Sequence, residues 1–325
     1  MKAAKRIWAV LIPVLFLTSS LAYSQTREDV INSYNQAHNL ATQDGNIPEA
    51  IELFKETLAL AEQVGSEADD IKERIANQIP RLSFTYAAQY VRERQLDRAI
   101  SAFQESIRLS EKFGDEQTAA RAKNNMPALY LNLGNLYFRD QENDTALELY
   151  EKAIELNPSY VNAYYQSALV YRRKGQLDRA LELFDTSIDL ARASGDSENV
   201  NRSQRAARDY LVFRASEAIE NENYNRALDL LNRATRYGDS ASLHYRFAET
   251  YNYLGRYSDA LSSAQRALQL ESGSRSDMAR IYFELGLAQK GLDRVADACR
   301  AFENALYGDY RSPAEHQMEH ELNCN

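Results

Sequence analysis

Residues 130–158 read YLNLGNLYFRDQENDTALELYEKAIELNP, and this stretch decides the fold. Large side chains recur at Tyr130, Leu133 and Tyr137, and spacings of three and four residues place them on one face of an α-helix. Gly134 lies among them, and its lack of a side chain lets a second helix approach closely. The stretch therefore predicts two helices packed against each other.

The same pattern recurs along most of the chain. Its most regular feature is an alanine early in each second helix, followed in most copies four residues later by a large side chain, as in Ala146 with Tyr150. These second-helix alanines are Ala50, Ala99, Ala146, Ala180, Ala227, Ala260 and Ala298. Recurrence of a helix pair predicts a repeat array in which neighbouring pairs share their apolar faces.

The pattern resembles the tetratricopeptide repeat, a helix pair of about 34 residues. Tyr130, Leu133, Gly134, Ala146 and Pro158 carry the resemblance. It implies an all-α, right-handed superhelical solenoid of about seven helix pairs with a C-terminal capping helix. It also implies that the first helices line a concave groove and that the protein binds other proteins.

Turn chemistry supports this register. Gly45, Gly175 and Gly255 each stand five residues before a second-helix alanine, where a left-handed residue ends the first helix. In the last repeat Gly291 stands seven residues before Ala298, so that turn is expected to differ. The residues expected as N-caps of second helices are Asp97, Asp144, Asp178, Asn225 and Asp259.

Three of the repeats are longer than the others, since the alanines are spaced by 49, 47, 34, 47, 33 and 38 residues. In each long spacing a helix ends at a glycine, namely Gly65, Gly114 or Gly195, and polar residues then restart a helix. The added residues predict longer helices, similar to those of kinesin-light-chain repeats. Pro80 and Pro127 are expected to kink or split two of them.

Residues 1–24 are predicted to be a secretory signal peptide. A basic start at residues 2–6 precedes an apolar stretch at residues 7–17, and small residues precede a cut at Gln25. An uncleaved anchor is the alternative. No cysteine stands at the cut, so a lipoprotein anchor is not supported. The expected location is the periplasm or the cell exterior.

Charge and composition exclude several classes of protein. The formal net charge is −9, and removal of the three basic residues before Gln25 would take it to −12. A nucleic-acid binder needs excess Lys and Arg, so general binding to nucleic acid is not expected. After the first 24 residues no apolar segment reaches membrane length, which predicts no membrane span in the mature chain.

The array is expected to cover residues 25–311, followed by a capping helix and tail at residues 312–325. Residues 312–315 read SPAE, a capping-box pattern with proline at the first helical position. Cys299 and Cys324 form an even pair, and a disulfide between them would staple the cap to the final repeat. A buried free Cys299 and an intermolecular bond through Cys324 are the alternatives.

Catalytic patterns are few. Residues 316–320 read HQMEH and match the H-x-x-E-H string of inverted zinc peptidases, but little chain follows them for a further ligand or a substrate-binding domain. His38 and His244 occupy packing positions of the repeat. No phosphate loop, dinucleotide fingerprint, serine elbow or Cys-x-x-Cys pair occurs. We therefore expect no enzyme, no cofactor and no metal site.

The resemblance places a binding groove on the first helices. Amides suit the backbone of an extended peptide, aromatic rings pack on it, and arginine pairs with its carboxylates. The groove positions are Arg81, Phe84, Asn132, Asn135, Phe138, Arg139, Asn162, Tyr165, Gln166, Arg172, Arg173, Tyr245 and Arg246. A wider set includes Asp209, Phe213, Tyr253, Phe283, Glu284 and Lys290, and basic residues still outnumber acids across it.

The best-known peptide site of the family, the carboxylate clamp, is not expected. It holds a C-terminus with Lys, Arg and Asn from three successive repeats. Asn135 matches one clamp asparagine, but Leu131 stands where lysine is needed. Gln166, Asp209 and Phe213 replace other clamp residues, so a chaperone-tail function is not supported.

The sequence thus predicts a non-enzymatic scaffold or adaptor of the cell envelope. Its partner would be a protein or an extended peptide bound in the groove, with acidic peptides among the candidates. The alternative is a ligand-sensing or regulatory ectodomain that acts on a separate enzyme. That alternative would show a stability shift that depends on a small molecule.

Overall fold

The computed structural model describes residues 25–324 and places them in helices and turns, with no strand among them. The predicted signal peptide, residues 1–24, lies outside the described residues. The chain divides into two compact units, one that ends at Ala122 and one that begins at Lys123. Among residues 25–324, no helix combines the length and apolarity that a membrane crossing requires.

The helices follow one another along both units. Unit one contains α1 (Arg27–Thr42), α2 (Ile47–Val64), α3 (Asp69–Arg92), α4 (Leu96–Lys112) and the start of α5 (Glu116–Arg139). Unit two contains the rest of α5, then α6 (Asn143–Leu156), α7 (Val161–Arg173), α8 (Leu177–Ala193), α9 (Ser197–Glu220) and α10 (Tyr224–Ala234). It continues with α11 (Ala241–Tyr253), α12 (Tyr257–Leu270), α13 (Arg275–Gly291), α14 (Val295–Asn304) and α15 (Arg311–His316).

In unit one each helix from α1 to α4 packs against the next in the chain, and in unit two the helices from α6 to α15 do the same. In unit two, first helices also contact the first helix of the next pair: α7 contacts α9, α9 contacts α11, and α11 contacts α13. The first helices from α7 to α13 therefore form one layer, called here the first-helix layer. The expected all-α fold of sequential helix pairs is confirmed.

The second-helix alanines lie at the centre of the pairs, and all seven are fully buried. The residue four positions after each alanine is also buried, as Tyr150 and Phe302 illustrate. Opposite these two rings stand Gly134 and Gly286. A Cβ atom on Gly134 would lie 2.6 Å from Cε1 of Tyr150, and one on Gly286 would lie 2.6 Å from Cε1 of Phe302. Only a glycine leaves room for these rings in their present positions.

All seven turns inside the helix pairs share one backbone feature. The residue five positions before each second-helix alanine has a positive φ, as predicted at Gly45, Gly175 and Gly255. The other four turns place Arg94, Gln141, Glu222 and Asp293 there, with φ of 60°, 69°, 58° and 58°. The prediction that the last turn differs is wrong, because Gly291 stays helical and Asp293 takes the left-handed position.

The residues expected as N-caps lie inside the second helices instead. Asp97, Asp144, Asp178 and Asn225 are the second residues of their helices, and Asp259 is the third residue of α12. At the four aspartate positions the carboxylate still interacts favourably with the free N–H groups and the positive end of the helix dipole. The recurring acid in the turn is therefore a first-turn charge and not a cap.

The lengthened helices are confirmed: α3, α5 and α9 each contain 24 residues. Of the two outcomes expected at Pro80 and Pro127, splitting does not occur, since both prolines lie inside continuous helices, and a kink stays a prediction. Pro80 is buried against its neighbours, and the Ser83 hydroxyl donates a hydrogen bond of 2.8 Å to its carbonyl oxygen. Packing around the ring thus holds the helix together despite the missing N–H donor.

The C-terminal segment covers the last helix pair. Ala314 of α15 is fully buried in a cluster with Ala298 and Phe302. A disulfide joins Cys299 of α14 to Cys324, with 5.7 Å between their Cα atoms. The segment is therefore held to the last second helix by apolar packing and by a covalent bond.

The capping box expected at residues 312–315 is wrong. Helix α15 begins at Arg311, two residues before the expected first helical residue Pro313, and its N-cap Tyr310 makes no side-chain capping bond. A short 3-10 turn at residues 308–310 leads directly into the helix. The expected end near Leu322 is confirmed, since a π-helical turn extends α15 over residues 317–322.

We predict that Gly134→Ala destabilises the protein by about 1–3 kcal/mol, because the new methyl group overlaps the buried Tyr150 ring. Alanine favours a helix over glycine by about 1 kcal/mol, so a net loss in urea unfolding would report the overlap. Asn132→Ala, an exposed change in the same helix, is the control. A Gly134→Ala variant as stable as wild type would contradict the prediction.

Candidate functional site

Two clefts open on unit two between first helices. The first, called here the arginine cleft, has a volume of about 510 Å³ and lies between α5, α7 and α9. Its lining residues are Phe138, Leu169, Arg172, Arg173, Asp209, Tyr210 and Phe213. Three of the predicted groove residues, Phe138, Arg172 and Arg173, therefore meet at one site.

The arginine cleft carries positive charge that no acid neutralises. The guanidinium of Arg173 lies 3.6 Å from the centroid of the Phe138 ring, and it donates hydrogen bonds to the Phe138 carbonyl and to Oδ1 of Asn143. Arg172 is exposed. Neither arginine forms an ion pair with any of residues 25–324. Asp209, the acid of the cleft, pairs instead with Arg208 at 3.1 Å.

The same cleft presents apolar surface. Phe213 on α9 is 56% exposed, an unusual exposure for a phenylalanine on a packed helix. Phe138 and Leu169 are half-buried beside it, and Tyr210 is buried. The cleft therefore combines an apolar floor with two cationic side chains.

The second cleft, called here the glutamate cleft, has a volume of about 440 Å³ and lies mainly between α11 and α13. Its lining residues are Asn252, Tyr253, Tyr257, Phe283, Glu284, Leu287, Lys290, Gly291 and Asp293. Glu284 is only 6% exposed. The Asn252 side-chain amide donates a hydrogen bond of 2.8 Å to Oε2 of Glu284 and one of 2.9 Å to the Glu284 backbone carbonyl.

Burial raises the pKa of the Glu284 carboxyl to about 8. The hydrogen bond from Asn252 and the charge of Arg246 oppose this shift, and the neighbouring Glu249 adds to it. Arg246 is itself committed to Glu249, with a contact of 2.7 Å. The Glu284 carboxyl is therefore mostly protonated at neutral pH when the cleft is empty.

Several other predicted groove residues have partners within the chain. Oδ1 of Asn135 accepts a hydrogen bond of 2.9 Å from the buried Tyr150 hydroxyl. Oδ1 of Asn162 accepts a hydrogen bond from Arg202, whose guanidinium lies 4.2 Å from the Tyr165 ring centroid. These side chains brace the packing between neighbouring helices.

Tyr245 and Arg246 do not line either cleft. Tyr245 is 4% exposed, and its hydroxyl lies 3.1 Å from that of Tyr310, with a pKa that burial raises strongly. The expectation that Tyr245 faces a groove is therefore wrong, since its ring is covered by neighbouring side chains. Nε of Arg139 lies 3.6 Å from Oδ1 of Asp140. Of the remaining predicted groove residues, Asn132 is exposed and Gln166 is half-buried.

The two groove residues predicted in unit one lie on α3. Arg81 is exposed, whereas Phe84 is half-buried. The Phe84 ring meets Phe103 edge-on at 5.4 Å, and the guanidinium of Arg121 lies 4.4 Å from its centroid. Phe84 is thus already covered on two sides by residues of unit one.

The sequence missed seven of the residues that line the clefts, namely Leu169, Tyr210, Asn252, Tyr257, Leu287, Gly291 and Asp293. The sequence spacing could have indicated two of them. Leu169 precedes Arg172 by three residues and Tyr210 precedes Phe213 by three, so each lies on the same helix face as a predicted groove residue. Nothing in the local sequence of Asn252 indicates that it bonds Glu284, which lies on another helix.

The histidines of the H-x-x-E-H string lie on α15 and the π-helical turn, with 5.1 Å between the ring centroids of His316 and His320. Among residues 25–324, no three His, Cys, Asp or Glu side chains are grouped so as to hold a metal ion.

Sequence models of the tetratricopeptide repeat match residues 134–175, 161–194 and 245–315. These matches fall on helix pairs whose turns and small-to-large contacts are described above. Residues 134–194 and 245–315 are therefore tetratricopeptide repeats. Proteins built from this repeat are generally non-enzymatic scaffolds for protein–protein interaction, and their partners are proteins or peptides.

No curated protein sequence matches the chain. Similar solved structures include MamA from Desulfovibrio magneticus, which is 16% identical with a TM-score of 0.38. The match covers 56% of this chain and 94% of the MamA chain. YrrB, a tetratricopeptide-repeat protein with an unusual peptide-binding site, is 22% identical with a TM-score of 0.37, and the match covers 59% and 91%. A tetratricopeptide-repeat protein from Parabacteroides merdae is 14% identical with a TM-score of 0.30, and the match covers 92% and 100%.

We predict that Glu284 makes stability fall as pH rises. The folded chain keeps the proton up to about pH 8, whereas an ordinary glutamate loses it near pH 4.5, so stability present below pH 4.5 is lost progressively up to pH 8. Glu284→Gln removes this loss. Between pH 5 and pH 8, the unfolding free energy of the variant should rise by about 2–4 kcal/mol relative to wild type.

Urea unfolding at both pH values measures this difference. Glu303→Gln, a change of an exposed glutamate on α14, is the control and should follow wild type. Parallel pH profiles for Glu284→Gln and wild type would show that the buried carboxyl does not titrate as described.

Proposed function

We propose that this protein is a non-enzymatic scaffold of the cell envelope that captures an acidic peptide segment in the arginine cleft. One observation carries the proposal: an exposed apolar ring, Phe213, stands beside two arginines that no acid among residues 25–324 neutralises. The formal charge of the whole chain is −9, so this local positive charge is not a consequence of general composition.

The chemistry of the arginine cleft suits a short motif with an apolar residue next to a carboxylate. The apolar side chain would pack on Phe213 and Leu169, which removes their exposed surface from water. The carboxylate would pair with Arg172, which is exposed and forms no ion pair with any of residues 25–324. Arg173 is already fixed on Phe138, so its contribution to the local charge costs little further ordering.

The envelope location is part of the same proposal. It is supported by the predicted signal peptide at residues 1–24 and by the disulfide between Cys299 and Cys324. Disulfides persist in oxidising compartments such as the periplasm and the cell exterior.

We predict that peptides selected from a random library against residues 25–325 contain Asp or Glu next to an apolar residue. Arg172→Glu should weaken their binding at least tenfold, about 1.4 kcal/mol, because it replaces attraction by repulsion. Phe213→Ala should also weaken binding, through lost apolar contact. Fluorescence anisotropy of labelled peptides measures both effects.

Matched controls exist for each variant. Arg205→Glu makes the same charge change at an exposed position of α9, outside the cleft, and Leu156→Ala removes a 50% exposed apolar side chain from α6. Both controls should bind like wild type. Equal losses in Arg172→Glu and Arg205→Glu would assign the effect to overall charge and would refute the cleft.

A single mass measurement tests the location. The chain recovered from the envelope fraction should begin at Gln25 and, without reductant, should weigh two hydrogen atoms less than the reduced chain because of the disulfide. A chain that retains residues 1–24 and carries two free thiols would contradict an exported scaffold.

A further inference from the structure

The glutamate cleft is chemically distinct from the arginine cleft. It contains the carboxyl of Glu284, which is 6% exposed and, among residues 25–324, accepts one side-chain hydrogen bond, from the Asn252 amide. No cation among residues 25–324 forms an ion pair with Glu284, since Arg246 is paired with Glu249. A buried carboxyl without a cation is costly as the anion, and this cost is relieved when a cation arrives from outside.

The basic residue of this cleft does not fill that role. Nζ of Lys290 lies 2.8 Å from Oε1 of Gln317 and 3.0 Å from Oε2 of Glu321, both in the C-terminal segment. Its charge is therefore balanced away from Glu284. The remaining charged residue of the lining, Asp293, adds negative charge to the cleft.

Aromatic rings form the walls. Tyr253 is 59% exposed and stacks on Tyr224, with 4.7 Å between centroids and 11° between planes. Phe283 is held between Phe302 and Tyr310, at centroid distances of 5.6 Å and 5.5 Å. The faces of such rings attract organic cations.

Gly291 makes room for a further aromatic ring of the glutamate cleft, that of Tyr257. A Cβ atom on this helical glycine would lie 2.4 Å from the ring atoms Cγ and Cδ1 of Tyr257. The absence of a side chain therefore allows Tyr257 to lie directly against α13 at the edge of the cleft. This packing gives Gly291 a structural role that its place in the repeat did not indicate.

We propose that the glutamate cleft binds the cationic end of a lysine or arginine side chain from a partner peptide, with Glu284 as the counter-ion and Tyr253 and Phe283 as aromatic walls. The cation becomes the charged partner that Glu284 lacks. The Glu284 proton passes to solvent as the carboxylate forms, so binding at neutral pH releases up to one proton. The peptide origin of the cation rests on the proposed scaffold function, whereas the affinity of the cleft for a cation does not.

The test uses N-acetyl-lysine-N-methylamide as the probe, titrated into residues 25–325. The Asn252 side-chain amide, which donates to Glu284, is the NMR reporter. A saturable shift of its NH₂ signals is expected, while the analogue acetylated at Nε should give none. In calorimetry at pH 7, the binding enthalpy should depend on the ionisation enthalpy of the buffer, because a proton is released.

Variants separate this cleft from the arginine cleft. Glu284→Gln should weaken the response at least tenfold, and its NMR spectrum shows directly whether it is folded. Glu303→Gln and Arg172→Glu should leave the response unchanged, so failure of the arginine cleft and failure of this cleft are distinguishable. An equal response in Glu284→Gln, or an equal response to the Nε-acetylated probe, would overturn the proposal. A response to n-butylamine at least tenfold tighter than to the blocked lysine would overturn the assignment to a peptide side chain.

Discussion

The close approach of a glycine on a first helix to a large ring on its second helix sets the geometry of two of the helix pairs. In the pair of α5 and α6, the Tyr150 ring occupies the space that a side chain on Gly134 would need. The pair of α13 and α14 repeats this arrangement with Gly286 and Phe302. Because a buried ring is incompressible, the size of one residue fixes how near the two helices lie. The second-helix alanines, all fully buried, allow the same approach from the other side.

This helix–helix contact determines which side chains of the first helices remain available on the surface. Their small residues face the second helices, so the long polar and aromatic side chains of the same helices face away or toward the next pair. Several of these side chains contact a neighbouring helix, as Arg202 contacts Tyr165 and Asn135 contacts Tyr150. The two clefts lie where side chains of the first helices are not all engaged in such contacts. One cleft leaves Arg172 and Phe213 exposed, and in the other Glu284 has no ion-pair partner within the described part of the chain, residues 25–324.

The two clefts have opposite electrostatic character within one unit. In the arginine cleft the local acid, Asp209, is occupied by Arg208, and the positive charge remains. In the glutamate cleft the local base, Lys290, is occupied by Glu321, and the carboxyl remains. A peptide that carries both an acidic and a basic residue would find complementary partners on the same protein, and two weak contacts on one chain reinforce each other when their spacing fits.

The helix-pair register followed from the sequence because it depends on local spacing, and Gly45, Gly175 and Gly255 mark turns that the structure shows. Arg94, Gln141, Glu222 and Asp293 occupy equivalent turns without a glycine, so residue type alone does not reveal them. The sequence also determined the long helices α3, α5 and α9 and the kind of residues that a groove would carry. Only the tertiary structure decided that Tyr245 is covered, that Arg173 lies on Phe138, and that Asn252 holds a buried Glu284. The physical reason is that local periodicity fixes which face of a helix is buried, whereas the partners of a side chain come from residues tens of positions away.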